Sequence, residues 1–187
     1  MSVAKAVLKV FLHVFLGLLL FVVPQPARAS SVLLGSGSQT NHLLILFGPG
    51  QTLQYELRHD GNIQTGAQLL DAVIQATGGF SVTTAPNDAT GIPIPFSEQL
   101  PGWNGQGLFA HFYRYSSGVF INGFAWGSFS AGSDGSWTSY FNYQIAGATG
   151  GFTSAFVGAS DRSLSDGDRD AYVFTGSTPP PAWLCGK

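Results

Sequence analysis

The stretch from residue 42 to residue 79 constrains the fold more than any other. His42-Leu43-Leu44-Ile45-Leu46-Phe47 is apolar from its second residue and stops at Gly48-Pro49-Gly50, a turn signal. Thr52 to Arg58 then alternates Leu53, Tyr55 and Leu57 with Thr52, Gln54, Glu56 and Arg58, the period of a half-buried strand pairing back on the first. Asp60-Gly61-Asn62 closes this hairpin. Thr65-Gly66-Ala67-Gln68 fits a capping box, Leu69, Leu70, Val73 and Ile74 recur at helical spacing, and Gly78-Gly79 supplies the stop, so a helix is expected over 65–77. One apolar stripe on one helix must cover a sheet, which makes the unit the opening of an α+β layer architecture.

The chain ahead of this unit has a different character. Lys5 and Lys9 precede an apolar run from Val10 to Val23, broken only by His13 and Gly17; Pro24 and Pro26 end it, and Ala27-Arg28-Ala29 puts small residues at a cleavage site. Residues 1–29 therefore read as a signal peptide cut between Ala29 and Ser30. The run is shorter than the roughly 20 residues that span a bilayer, so no stable membrane span is expected after cleavage. The expected location is secreted or periplasmic, and without a Cys at the junction the chain is not a lipoprotein.

Removing the leader leaves 158 of the 187 residues and takes Lys5, Lys9 and Arg28 with it. Five basic residues (Arg58, Arg114, Arg162, Arg169, Lys187) then face ten acidic ones, and no basic cluster marks a nucleic-acid partner. The one Cys, Cys185, excludes an internal disulfide and is read as a tail thiol, or else as a link between chains. A domain of this size buries a core without a disulfide. The expected layout is an N-terminal extension over 30–41, a single domain over 42–176 and a Pro-rich tail over 177–187.

Within the domain, 80–84 reads as a strand, and 85–107 as a long loop spaced by Pro86, Pro93, Pro95 and Pro101. Five further strands are expected, at 108–115, 119–126, 137–145, 152–157 and 171–175, all rich in aromatic and β-branched residues. Trp137, Phe141, Tyr143 and Ile145 share the core face of the third of these, with Thr138, Tyr140, Asn142 and Gln144 on the other. Asp166-Gly167-Asp168 is a tight turn into the last strand. The expected fold is α+β: a mainly antiparallel sheet with one packed helix and β-grasp-like topology, or alternatively an all-β sandwich with one helix.

Ile121-Asn122-Gly123-Phe124-Ala125, then Trp137-Thr138-Ser139-Tyr140-Phe141-Asn142, then Leu164-Ser165-Asp166-Gly167-Asp168 occur in the order of an I-N-G strand, a W-x-Y-x-x-N-G strand and an L-x-D-G-D turn. In this, 43–174 resembles the β-grasp-like C-terminal domain of transcobalamin and its bacterial relatives, although Tyr143 stands where that pattern has Gly. The helix at Thr65 is similar to that family's early helix. Leu34-Gly35-Ser36-Gly37-Ser38, Asp60-Gly61 before Thr65-Gly66, and Gly158-Ala159-Ser160-Asp161-Arg162 also resemble exported bacterial proteins, many of which carry a PEP-CTERM sorting tail. The chain ends Trp183-Leu184-Cys185-Gly186-Lys187, so sorting by that tail is not expected. In cobalamin carriers the related domain packs on the corrin together with a helical partner; the resemblance implies a fold, and a ligand has to be argued from the site.

Trp103, Trp126 and Tyr140 fall outside the expected core faces and are the candidate ligand-binding residues, a stacking surface for a small planar molecule or a saccharide. No catalytic set is expected: there is no G-x-S-x-G elbow, His111 reads as a packed strand residue, and His59 as a surface turn. Asp166, Asp168 and Asp170 match calcium-loop spacing, but Ala171 and Ser177 occupy the positions needing Gly and Glu, so no metal site is expected. Asp161-Arg162 reads as solvated loop charge. No cofactor is assigned and the oligomeric state is left open. The expected role is an exported, non-catalytic binding or interaction module; the alternatives are an extracytoplasmic, hydrolase-like enzyme with 85–107 as its lid, or a structural component of the cell surface.

Overall fold

The computed structural model describes residues 31–48, 50–85, 95–100, 103–115, 118–134 and 139–174. Residues 1–30, with the expected signal peptide, the first half of the proline-spaced loop, Trp137, Cys185 and the tail lie outside them. The elements run β1 (Ser31–Gly35), β2 (Gln39–Gly48), β3 (Gln51–His59), α1 (Gly66–Ala76), β4 (Phe80–Thr84), a 3-10 turn (Phe96–Gln99), β5 (Phe109–Tyr115), β6 (Gly118–Trp126), β7 (Phe129–Gly132), β8 (Phe141–Ala146), β9 (Thr153–Ser154) and β10 (Arg169–Phe174). They form a six-stranded sheet, ordered β1-β3-β2-β10-β8-β9, and a four-stranded sheet, ordered β4-β5-β6-β7.

The protein is α+β. The hairpin β2–β3 is antiparallel, the helix follows it, and β10 returns parallel to β2 at the centre with β8 antiparallel on its far side. That is the β-grasp-like arrangement, with β4–β7 inserted between the helix and β8. Both sheets are mixed, because β1 pairs in parallel with β3 and β4 in parallel with β5.

The unbroken apolar run of β2 follows from its central place. Leu43, Ile45 and Phe47 face the main core, while Leu44 and Leu46 join Ala171 and Val173 on the opposite side of the sheet. The main core joins that inner face to the helix stripe of Leu69, Leu70, Val73 and Ile74, and to Leu108, Ala110 and Phe124 from the second sheet. Each layer thus covers apolar surface that the others cannot hide alone.

The capping box forms as the sequence implies: the Gln68 N–H donates to Thr65 Oγ1, and the Thr65 N–H donates to the Gln68 side chain. Thr65→Ala is expected to cost about 1 kcal/mol, read as a lower urea midpoint at unchanged m-value.

Several boundaries differ from the sequence expectation, and β7 (Phe129–Gly132) is a strand where none is expected. Residues 31–41 lie within the sheet rather than ahead of it, since β1 pairs with β3 and β2 begins at Gln39; parallel pairing joins strands that no hairpin connects, so sequence order does not reveal it. Within 152–157 only Thr153–Ser154 is strand, and Phe156 is fully exposed. The strand expected over 137–145 is Phe141–Ala146, with Phe141 and Tyr143 on the core face as alternation requires.

A buried polar network ties the loop before β10 to the sheet. Asp170 is fully buried, accepts a hydrogen bond from the Tyr143 hydroxyl and lies 3.5 Å from Arg162 Nε. Arg162 also pairs with Asp168 at 2.9 Å, so it is a largely covered bridge rather than solvated loop charge. Backbone carbonyls of this loop accept from the first helical amides, Gly66 N–H to Arg162 O at 3.1 Å and Ala67 N–H to Ala159 O at 2.9 Å. These bonds satisfy amides that a helix start leaves orphaned. Burial pushes the Asp170 carboxyl up to about 6 and raises the Tyr143 hydroxyl above its ordinary range.

Candidate functional site

The two faces of the four-stranded sheet differ in what covers them. Ala110, Phe112, Phe124 and Trp126 point into the main core, whereas Phe109 and Ala125 point outward beneath Phe96, Leu100 and Trp103. A register shift between β5 and β6 lies at Asn122, and beyond it Gly123 turns to the outer face. Phe96 rests on Gly123 and Gly132: an added Cβ at Gly123 would stand 2.7 Å from its Cε2, and one at Gly132 2.5 Å from its Cβ. The ring needs a floor without side chains. Its own N–H donates to Ser133 O at 2.7 Å, so this part of the proline-spaced loop is docked on the sheet.

The rings on this face form one cluster centred on Phe109. Phe96 stacks on it at 6.0 Å, Trp103 lies at 6.4 Å and Phe80 meets it at 5.0 Å. Phe80 carries the cluster to the sheet edge, where it is 43% exposed and its neighbour on the same face, Val82, is 37% exposed.

That edge is β4. Among the described residues it pairs only with β5, in parallel, and among the same residues its other side has no strand partner. Natural edge strands are blunted by charge, proline or bulges. Phe80-Ser81-Val82-Thr83-Thr84 has none of these, and its β5 partners, Phe109 to Tyr113, carry no carboxylate or cationic side chain. His111 among them is buried and held neutral, its pKa lowered by desolvation, with Nε2 3.2 Å from Thr84 Oγ1. The strand was legible in sequence; its edge position was not, because that depends on which strands pair.

The candidate ligand-binding residues are not brought together. Trp103 belongs to the outer cluster, Trp126 packs edge-on against Tyr55 on the opposite face of the same sheet, and Tyr140 stands half-exposed ahead of β8 in the other sheet. Trp103 and Trp126 thus pack in clusters on opposite faces of the sheet.

His59 is buried rather than a surface turn residue. The Gly61 N–H donates to its Nδ1 at 3.1 Å, so the ring proton sits on Nε2 and is donated to Asn41 Oδ1 at 2.8 Å. It borders an open groove of about 410 Å³ between β1, β3 and α1, with Leu57, Ile63 and Ala72 at its base and Arg58, Asp60 and Asn62 around it. Arg58 is paired with Glu56 at 3.2 Å. Both ring nitrogens of His59 are engaged, which fits a structural role.

Among the described residues no group of three His, Cys, Asp or Glu side chains is placed to hold a metal ion. Among the same residues no helix is long and apolar enough to cross a membrane. Comparison with family models, with curated proteins and with solved structures finds no match.

Proposed function

We propose that this protein is an exported, non-catalytic interaction module, secreted or periplasmic once residues 1–29 are removed, that engages its partner by strand addition at β4. The observation that carries the reading is the uncharged, exposed edge of β4 joined to an aromatic face through Phe80. Strand addition takes affinity from main-chain hydrogen bonds and selectivity from side chains on alternate positions, and β4 offers both. The outer cluster also supports a second reading, a planar or saccharide ligand stacked beside Trp103, whose buried indole N–H finds no acceptor among the described residues.

A fluorescent peptide of sequence Phe-Ser-Val-Thr-Thr tests the first reading by anisotropy against the purified protein. Saturable binding is expected, together with at least tenfold weaker binding of the same peptide carrying proline in place of valine, which cannot complete the ladder. Equal affinity for both peptides, or no binding of either, would sink strand addition.

A further inference from the structure

We infer that the occupant of the β4 edge is β4 of a second copy of this chain, paired antiparallel about a two-fold axis. Resting on the edge reading above, this joins two four-stranded sheets into one continuous sheet across the dimer. A two-fold contact must be self-complementary, each residue meeting its counterpart across the axis. Centred on its middle residue, β4 meets that demand: Val82 lies opposite Val82, Phe80 opposite Thr84, and Ser81 opposite Thr83. Aromatic against β-branched, and hydroxyl against hydroxyl, are favourable cross-strand pairs.

Charge selects this edge over the other long one. The sequence is acidic, more so without its leader, so two copies repel wherever carboxylates approach each other. β4 and the β5 residues beside it bring no like charges to the axis. β1, the edge of the six-stranded sheet, also carries exposed Val32 and Leu33, but it runs beside Glu56 and Arg58, the register partners of Leu33 and Gly35. Self-pairing at β1 would set two Glu56–Arg58 ion pairs beside the new contact, whereas β4 has no charge to match across the axis. Phe80 and Val82 also fall on one face of β4, so pairing about Val82 makes a continuous apolar strip of Phe80, Val82 and their counterparts. Five residues per copy is a small contact, and so a dimer that depends on concentration is expected.

Sedimentation velocity on the purified protein, from low micromolar to near-millimolar concentration, reads the association directly. The wild type is expected to pass from monomer to dimer and no further, because the two-fold contact consumes the edge. Val82→Lys sets two ammonium groups opposite each other and is expected to stay monomeric with an unchanged melting temperature. Val82→Thr keeps a neutral β-branched residue and is expected to dimerise. A wild type that remains monomeric, or a Val82→Lys variant that dimerises like wild type, overturns self-pairing. If the wild type is monomeric yet binds the Phe-Ser-Val-Thr-Thr peptide, the edge reading survives and only the second copy falls; if it does neither, both fall.

Discussion

Asp170→Ala is expected to cost about 3 kcal/mol of folding stability at neutral pH, measured by urea denaturation. The change takes a partner from each of two partly buried side chains. The Tyr143 hydroxyl loses its acceptor, and Arg162 Nε loses the carboxylate 3.5 Å away while keeping Asp168 at 2.9 Å. Asp170→Asn preserves the shape and an acceptor oxygen for Tyr143, and is expected to cost far less.

The same carboxylate gives stability a pH dependence of defined sign. Desolvation raises the Asp170 pKa to about 6 in the folded protein, against the Tyr143 hydrogen bond and the Arg162 charge, which pull it down. With a folded pKa above the unfolded one, the native state binds more protons between about pH 4 and 6. The proton-linked part of the Asp170 contribution is therefore fully present below about pH 4 and lost as pH rises through 6, which leaves at neutral pH the cost of stranding its partners. Asp170→Asn is expected to flatten that slope; an unchanged slope in the variant would assign it to other groups.

The second large effect is expected at Gly79→Ala. Helix α1 ends at Thr77, and the chain crosses the entry to β5 backbone against backbone. A Cβ on Gly79 would overlap the Leu108 carbonyl oxygen and stand 2.6 Å from the Leu108 nitrogen. Main chain cannot rotate away as a side chain can. Gly107, at φ +67°, closes the same crossing from the other side with its own missing Cβ. About 3 kcal/mol of destabilisation is expected, the upper end of overpacking costs, and a chevron should place it mainly in the unfolding rate if the crossing forms late. Gly78→Ala is the contrast: it has open space, so only its φ of +70° opposes the substitution, and the smaller cost isolates backbone strain from collision.

The legible parts of this fold were the local ones. The Thr65 cap, the 52–58 alternation and the glycine stop after α1 are each written within a few residues and formed where expected. The topology needed one long-range fact, that β10 returns beside β2. The sequence hinted at it through the two-sided apolar run of Leu43 to Phe47, which suits only a strand covered on both faces. Arg162 and His59 were misjudged for one reason. Both sit in polar, turn-like stretches, and their cover comes from partners on or beside strands that local periodicity does not bring together: Asp168 just before β10 and Asp170 on it for Arg162, Asn41 on β2 for His59. Trp103 and Trp126 are separated by a sheet whose face assignment depends on the register shift at Asn122, which no periodicity revealed.

Amide hydrogen exchange over residues 80–84, followed at increasing protein concentration, tests the account at its centre. The edge reading with self-pairing predicts that the outward-facing amides of β4 exchange fast in dilute solution and become protected as concentration rises, while those of β2 stay protected throughout. Amides of β4 that exchange at one rate across the whole range, or that are already fully protected when dilute, would contradict it.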